Sequence, residues 1–145
     1  MYRLKSSTSF FVGFFLVMLA QQAALAQAIK PKISWLPDSS IPMGCSLIID
    51  DWKGNAIAWA PYSFQSSQDG RGLVMQIDGE TRELPINHYS ERILSAYDGK
   101  YYIEISTPQW SQAGGELAHA KTNMKIRNTA VYTETHIIAR SSRGC

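Results

Sequence analysis

Two runs near the C-terminus leave this chain little choice of architecture. From Ala118 the even positions read Ala118, Ala120, Thr122, Met124 and Ile126, while the odd ones read His119, Lys121, Asn123, Lys125 and Arg127. A two-residue period with one small or apolar face and one basic face is that of a half-buried β-strand. After Asn128 and Thr129, Val131, Thr133, Thr135, Ile137 and Ala139 alternate with Tyr132, Glu134, His136, Ile138 and Arg140, residue types that suit a pleated surface. The pair predicts a long antiparallel hairpin. A two-residue turn near Asn128 would set Lys121 opposite Glu134 and His119 opposite His136.

The preceding chain carries the same period in shorter pieces. Cys45, Leu47 and Ile49 alternate with Ser46, Ile48 and Asp50, then residues 51–55, DWKGN, supply a turn before a return strand over 56–60 that stops at Pro61, a residue with no amide hydrogen to give a ladder. Residues 73–77 and 80–84 flank Asp78-Gly79, and residues 92–97 and 100–106 flank Asp98-Gly99; Asp-Gly between strand-like runs is a strong hairpin signal because both turn positions want positive φ. The short, charged 80–84 arm suits a sheet edge. A two-residue loop at Asp98-Gly99 would pair Ala96 with Tyr101 and Leu94 with Ile103, leaving Ser95, Tyr97, Lys100, Tyr102 and Glu104 on the other face. Residues 85–91 and 108–115 read as loops. No stretch of ten residues after the N-terminal segment shows a helical period, so the expectation is an all-β domain, a small antiparallel barrel or sandwich of about eight strands.

The N-terminus is of another kind. Arg3 and Lys5 precede an apolar run over 10–20, and Ala24-Leu25-Ala26 offers small residues for cleavage, which predicts a signal peptide over 1–26 cut after Ala26 or Ala28 rather than a span of the bilayer. Residues 27–43, with Pro31, Pro37 and Pro42, read as an extended arm, and 44–145 as one domain. Of 14 Lys and Arg against 12 Asp and Glu, Arg3 and Lys5 are the excess. The exported chain is therefore neutral, which gives no footing for nucleic-acid binding. The face 119–127 is nonetheless basic, as a solvated sheet face or a docking face for an anionic partner. Two cysteines, Cys45 and Cys145, remain; in an exported protein an even pair reads as one disulfide, here tying the last strand to the first.

Catalytic and metal patterns are missing. There is no Gly-x-Ser-x-Gly elbow, and His88, His119 and His136 lack His-x-x-x-His or Cys-x-x-Cys spacing, so neither a nucleophile, a metal site nor a cofactor is expected. Asp50, Asp51, Glu80 and Glu83 fall where turns and edges need polar groups. Asp69-Gly70-Arg71-Gly72 lacks the spacing and following helix of a phosphate cradle. A binding protein, not an enzyme, is the expectation.

The order Cys45, Gly79 with Leu84, Ser95-Ala96, Lys100-Tyr101 and Cys145 resembles the bacterial inhibitors of C-type lysozyme in their soluble periplasmic form. Those are small antiparallel barrels with a Ser-Ala-Ser-Gly-x-Arg-Tyr type motif and a terminal cysteine. Tyr97 and Asp98 stand where that motif has its second Ser and its Gly, and the segment after Trp110 has no counterpart. The resemblance implies that Ser95 and Lys100 enter a lysozyme cleft and bond its carboxylates while Tyr101 holds the loop from inside. The partner-binding residues expected are thus Ser95, Tyr97, Lys100, Tyr101 and Tyr102, in a periplasmic or secreted protein with a protein partner, either a lysozyme-like hydrolase or another envelope protein. Two other readings stay open: an envelope-assembly factor offering a strand edge, and a small-molecule carrier with a hollow barrel.

Overall fold

The computed structural model describes residues 29–41, 44–61, 72–114 and 117–144. The expected signal segment 1–26, both cleavage positions, residues 62–71 and Cys145 lie outside the described residues. Eleven strands follow one another: Ile33–Ser34 (β1), Ser46–Asp50 (β2), Ala56–Pro61 (β3), Leu73–Ile77 (β4), Glu80–Leu84 (β5), Ile86–Tyr89 (β6), Ile93–Tyr97 (β7), Tyr101–Ser106 (β8), Ser111–Gly114 (β9), Leu117–Asn128 (β10) and Thr133–Gly144 (β11). The only described helical turn is the 3-10 segment Asp38–Ser40.

Every ladder is antiparallel, and all strands join one curled sheet in the order β1-β4-β3-β2-β11-β10-β8-β7-β6, with β5 also on β4 and β9 also on β10. The sheet is a half-barrel, not a sandwich. Its strands number eleven, not eight, because β1, β6 and β9 are short pieces without enough residues to show a period: β6 lies in the expected 85–91 loop, β9 in the expected 108–115 connection, and β1 in the arm.

Alternation decides which side chains point inward. Leu47, Ile49, Ala58, Ala60, Leu73, Met75, Ile77, Leu84, Leu94, Ala96, Tyr101, Ile103, Ile105, Met124, Ile126 and Ala139 form one buried cluster on the concave side. Burying each large member stabilises by roughly 1.5–3 kcal/mol before entropy is counted. Inside it, the hydroxyls of Thr122 and Ser141 bond each other across β10 and β11, which satisfies two polar groups that have no water.

A second, smaller cluster sits on the convex side. Leu36 from the arm covers Trp59 and Val74, with Ile41 and Ile48 beside them. The arm is fastened along its length: Thr133 Oγ1 donates to Ile29 O at 3.2 Å, Thr135 Oγ1 to Pro31 O at 2.8 Å, and Leu36 N to Ala56 O at 2.8 Å, while Ile33 and Ser34 pair with Ile77 and Gln76.

Two expected registers differ from those observed. The connection between β10 and β11 is residues 129–132, so Lys121 faces Arg140, Arg127 faces Glu134, His119 faces Ser142 and Lys125 faces His136. At the β7–β8 hairpin Ala96 faces Ile103 and Leu94 faces Ile105. Both turns are longer than two residues, because Asp98 and Tyr132 fold local loops that a two-residue turn cannot hold. Each slip is even, so every side chain keeps its expected face.

Candidate binding surface

The end strands of the sheet, β5 and β6, are neighbours in the chain separated by Pro85 alone, yet each pairs with its other neighbour. The open seam between them is bridged at its rim by the two Asp-Gly hairpins. Asp78 and Gly79 adopt φ of 53° and 84°, as a two-residue turn between Ile77 and Glu80 requires. From that turn the Asp78 carboxylate accepts the Tyr101 hydroxyl, and from β5 Arg82 Nη1 donates to Asp98 Oδ2 at 3.0 Å.

The β7–β8 tip is held from every side. Asp98 Oδ1 accepts from Lys100 N at 2.8 Å and Tyr101 N at 2.7 Å, and the Tyr97 hydroxyl donates to Gly99 O at 2.9 Å. Thr129, in the β10–β11 connection, donates its amide at 2.9 Å and its hydroxyl at 3.0 Å to Lys100 O. Gly99 has φ of 94°, a conformation that a side chain would strain. The Tyr101 ring lies fully buried beneath, with Arg82 Cζ at 5.0 Å and Lys100 Nζ at 4.9 Å from its centroid.

These contacts set the local electrostatics. Partial burial opposes ionisation of Asp78, but the Tyr101 hydroxyl, the Lys32 amide and the charges of Lys100 and Arg82 outweigh it and hold its pKa below the usual carboxylate value. Asp98 follows the same balance: burial raises, the amides of Tyr101 and Lys100 and the Arg82 guanidinium lower, and the net is a depressed pKa. Burial, and then the bond to Asp78, push the Tyr101 phenol up.

Of the residues expected to meet a partner, the structure leaves Lys100 exposed at the tip, Tyr97 37 % exposed and Tyr102 half-buried beside it. Tyr101 lies inside. Ser95 is buried, at 8 %, in the middle of β7 between His88 and Glu104, away from the tip.

The registers arrange the outer face of β7, β8, β10 and β11 into three rows across the strands. They run Ile93-Ser106-Asn123-Ile138, Ser95-Glu104-Lys125-His136 and Tyr97-Tyr102-Arg127-Glu134. The basic face 119–127 is thereby countered in part: Arg127 Nη2 pairs with Glu134 Oε2 at 2.9 Å and Lys125 lies between Glu104 and His136, while Lys121 is exposed opposite Arg140, which itself meets Asp50 at 3.0 Å. The bond from Arg127, against the opposing effect of burial and with help from His136, holds Glu134 below its usual pKa. A groove of about 290 Å³ opens on this face among Glu104, Ser106, Asn123, Met124, Lys125, His136, Ile137 and Ile138.

Sequence reasoning missed Asp78, Arg82 and Thr129 as supports of the tip, and the groove altogether. Alternation identifies a face, but which residues share a row depends on loop lengths that the sequence leaves open. His119 bonds Ser142, His136 bonds Glu134 and His88 is exposed on β6. Among the described residues no three His, Cys, Asp or Glu gather as metal ligands, and no helix is long and apolar enough to cross a membrane. Comparison with protein-family models, with curated proteins and with solved structures gives no match to this chain.

Proposed function

We propose that this chain is an exported binding protein of the bacterial envelope that presses the β7–β8 tip into an acidic cleft of a protein partner. A lysozyme-like hydrolase is the partner that the resemblance in residues 95–101 suggests. The observation that carries this reading is the fastening of the tip: five hydrogen bonds fix residues 97–101 with Lys100 at the point. A preformed loop loses little entropy on docking. Lys100 supplies the charge for a carboxylate, and Tyr97 and Tyr102 supply amphipathic flanks of the kind enriched at interfaces. Export would go with a disulfide between Cys45 and Cys145; Gly144 pairs with Ser46 in the β2–β11 ladder, so the residues next to the two cysteines face each other.

A second reading rests on β5. Its outer edge, Glu80–Leu84, faces the seam without a ladder partner among the described residues, and an extended client segment could add there.

Mixing the purified domain with C-type lysozyme tests the first reading. Lytic activity should fall at a several-fold molar excess, and Lys100→Ala should weaken inhibition at least tenfold while the protein stays folded, with only the small loss of midpoint that its contact with the Tyr101 ring implies. Undiminished lysis at that excess ends the lysozyme reading. A strand-addition partner would instead be blocked by Thr81→Pro on the β5 edge and unaffected by Lys100→Ala.

A further inference from the structure

Beside the groove, away from the tip, two tryptophans stand in solvent. Trp35 is 59 % and Trp52 53 % exposed, and Ile138, which lines the groove, is 59 % exposed. Both indole N–H groups turn inward: Trp52 Nε1 donates to Ile138 O at 3.3 Å, and Trp35 is directed to the Asp51 carboxylate. Asp51 itself is fixed by Lys53 N at 3.0 Å, Asn55 N at 3.1 Å and Asn55 Nδ2 at 2.9 Å. The rings are therefore anchored by their polar edges, and their apolar surface is left bare.

Trp52 is also strained. Its φ is 68°, in the left-handed region that a bulky side chain avoids, and Asp50 Oδ1 holds it there by accepting Trp52 N at 3.0 Å. Gly, Asn or Asp adopts that conformation at less cost. An exposed aromatic kept in a costly conformation contributes little to the fold.

We propose that the Trp35–Trp52 rim and the adjoining groove over β8, β10 and β11 form a docking site for a short, uncharged oligosaccharide. The charge of the groove selects this chemistry. Glu104 and Lys125 cancel, His136 is tied to Glu134, and the remaining polar groups, Ser106 and Asn123, are neutral. An anionic ligand finds no net field there. The volume, about 290 Å³, lies at the lower end of small-molecule sites, roughly 300–1,000 Å³, which is room for a short sugar chain rather than a folded partner. A pyranose matches both parts at once, because its C–H face stacks on an aromatic ring and its hydroxyl edge exchanges hydrogen bonds with an amide, a hydroxyl, a carboxylate and an ammonium. A protein partner would need the bare rings to sit inside a wider apolar patch, whereas the exposed Ile29, Val131 and Tyr132 lie at or beside the β10–β11 connection, six residues along β11 from Ile138.

The test uses the whole exported domain with chitotetraose, cellotetraose and maltotetraose as probes, followed by tryptophan fluorescence and by amide shifts. At least one probe should give saturable quenching or a blue shift, and shifts in the unsubstituted protein should concentrate at Trp52, Ser106, Asn123, Lys125 and Ile138. Trp35→Ala and Trp52→Gly should each weaken that binding about tenfold, the scale of one lost stacking face, and Trp52→Gly should leave the melting midpoint level or higher. The proposal is overturned if none of the three sugars saturates, if the amide shifts lie elsewhere, or if Trp52→Gly abolishes self-association in sedimentation and leaves sugar binding intact. No lysozyme enters this titration, so it is read separately from the test of the hairpin tip.

Discussion

Tyr101 connects more of the site than any other residue. Its ring is in the core, its amide closes the tip on Asp98, and its hydroxyl reaches across the seam to Asp78. Removing only the hydroxyl tests the seam without emptying the core. Tyr101→Phe should cost about 0.5–1.5 kcal/mol, the net value of one hydrogen bond, because the exposed Asp78 carboxylate keeps the Lys32 amide and gains water, whereas Tyr101→Ala should cost about 3–5 kcal/mol by opening a cavity; urea denaturation of the two variants separates these terms. The same contacts fix a pH window. Asp78 and Asp98 have folded pKa values below their unfolded ones, so their stabilisation is complete above about pH 4 and is lost as pH falls through the folded values. Tyr101 is raised, so its share is complete below about pH 10 and fades as pH rises through the folded value. The unfolding midpoint should therefore decline at both ends of the range, and Tyr101→Phe should remove the alkaline decline specifically.

At the level of strands and turns, the tip depends on how closely β4 and β5 approach. A side chain at Gly72 would meet Leu84 O at 2.3 Å, and the Gly72 amide donates to Glu83 Oε1 at 2.8 Å. The obstacle is backbone, so it cannot rotate away. Gly72→Ala should cost about 1–3 kcal/mol, the range of an overpacked contact, and should loosen Arg82 from Asp98, detectable as faster amide exchange at Lys100 and Tyr101. The strands of this hairpin were legible from Leu73, Met75 and Ile77 and from Asp78-Gly79, since period and turn chemistry agree there. The supports of the tip were not, because Arg82 meets Asp98 and Thr129 meets the Lys100 carbonyl through pairings set by loop length. Even slips kept Leu94 and Ala96 inside while moving their cross-strand partners by two. Pro31 and Pro37 dictate an extended arm; that Leu36 packs on Trp59 depends on a convex apolar patch of Ile48, Trp59 and Val74 that alternation alone assigns to solvent. Leu36→Ala should accordingly cost about 2–4 kcal/mol, measured by denaturation, rather than the few tenths expected of a loose tail.

In the whole molecule the sheet consists of two blocks, β1–β5 and β6–β11, and one ladder joins them: β2 on β11, from Asp50 with Arg140 to Ser46 with Gly144. At the other seam the blocks meet through side chains, Arg82 with Asp98 and Tyr101 with Asp78, and through the arm on Thr133 and Thr135. The strands of that single ladder are far apart in sequence, so forming it carries the loop-closure cost of nearly the whole domain. A Cys45–Cys145 disulfide would act at the end of this ladder, beside Ser46 and Gly144, and nowhere else would a cross-link constrain the two blocks so directly. Closing a loop of about 100 residues would stabilise by up to roughly 4–5 kcal/mol through the unfolded chain. Reduction should lower the urea midpoint by a corresponding amount and broaden the transition, because two blocks held by a five-residue ladder begin to unfold separately. Tip docking should then weaken along with stability, since Asp78 and Arg82 belong to one block and Asp98 and Tyr101 to the other. Two reactive thiols in the folded, unreduced protein, or a midpoint indifferent to reductant, would leave the β2–β11 ladder, the arm, the shared core and the Arg82–Asp98 and Tyr101–Asp78 contacts to hold the halves together.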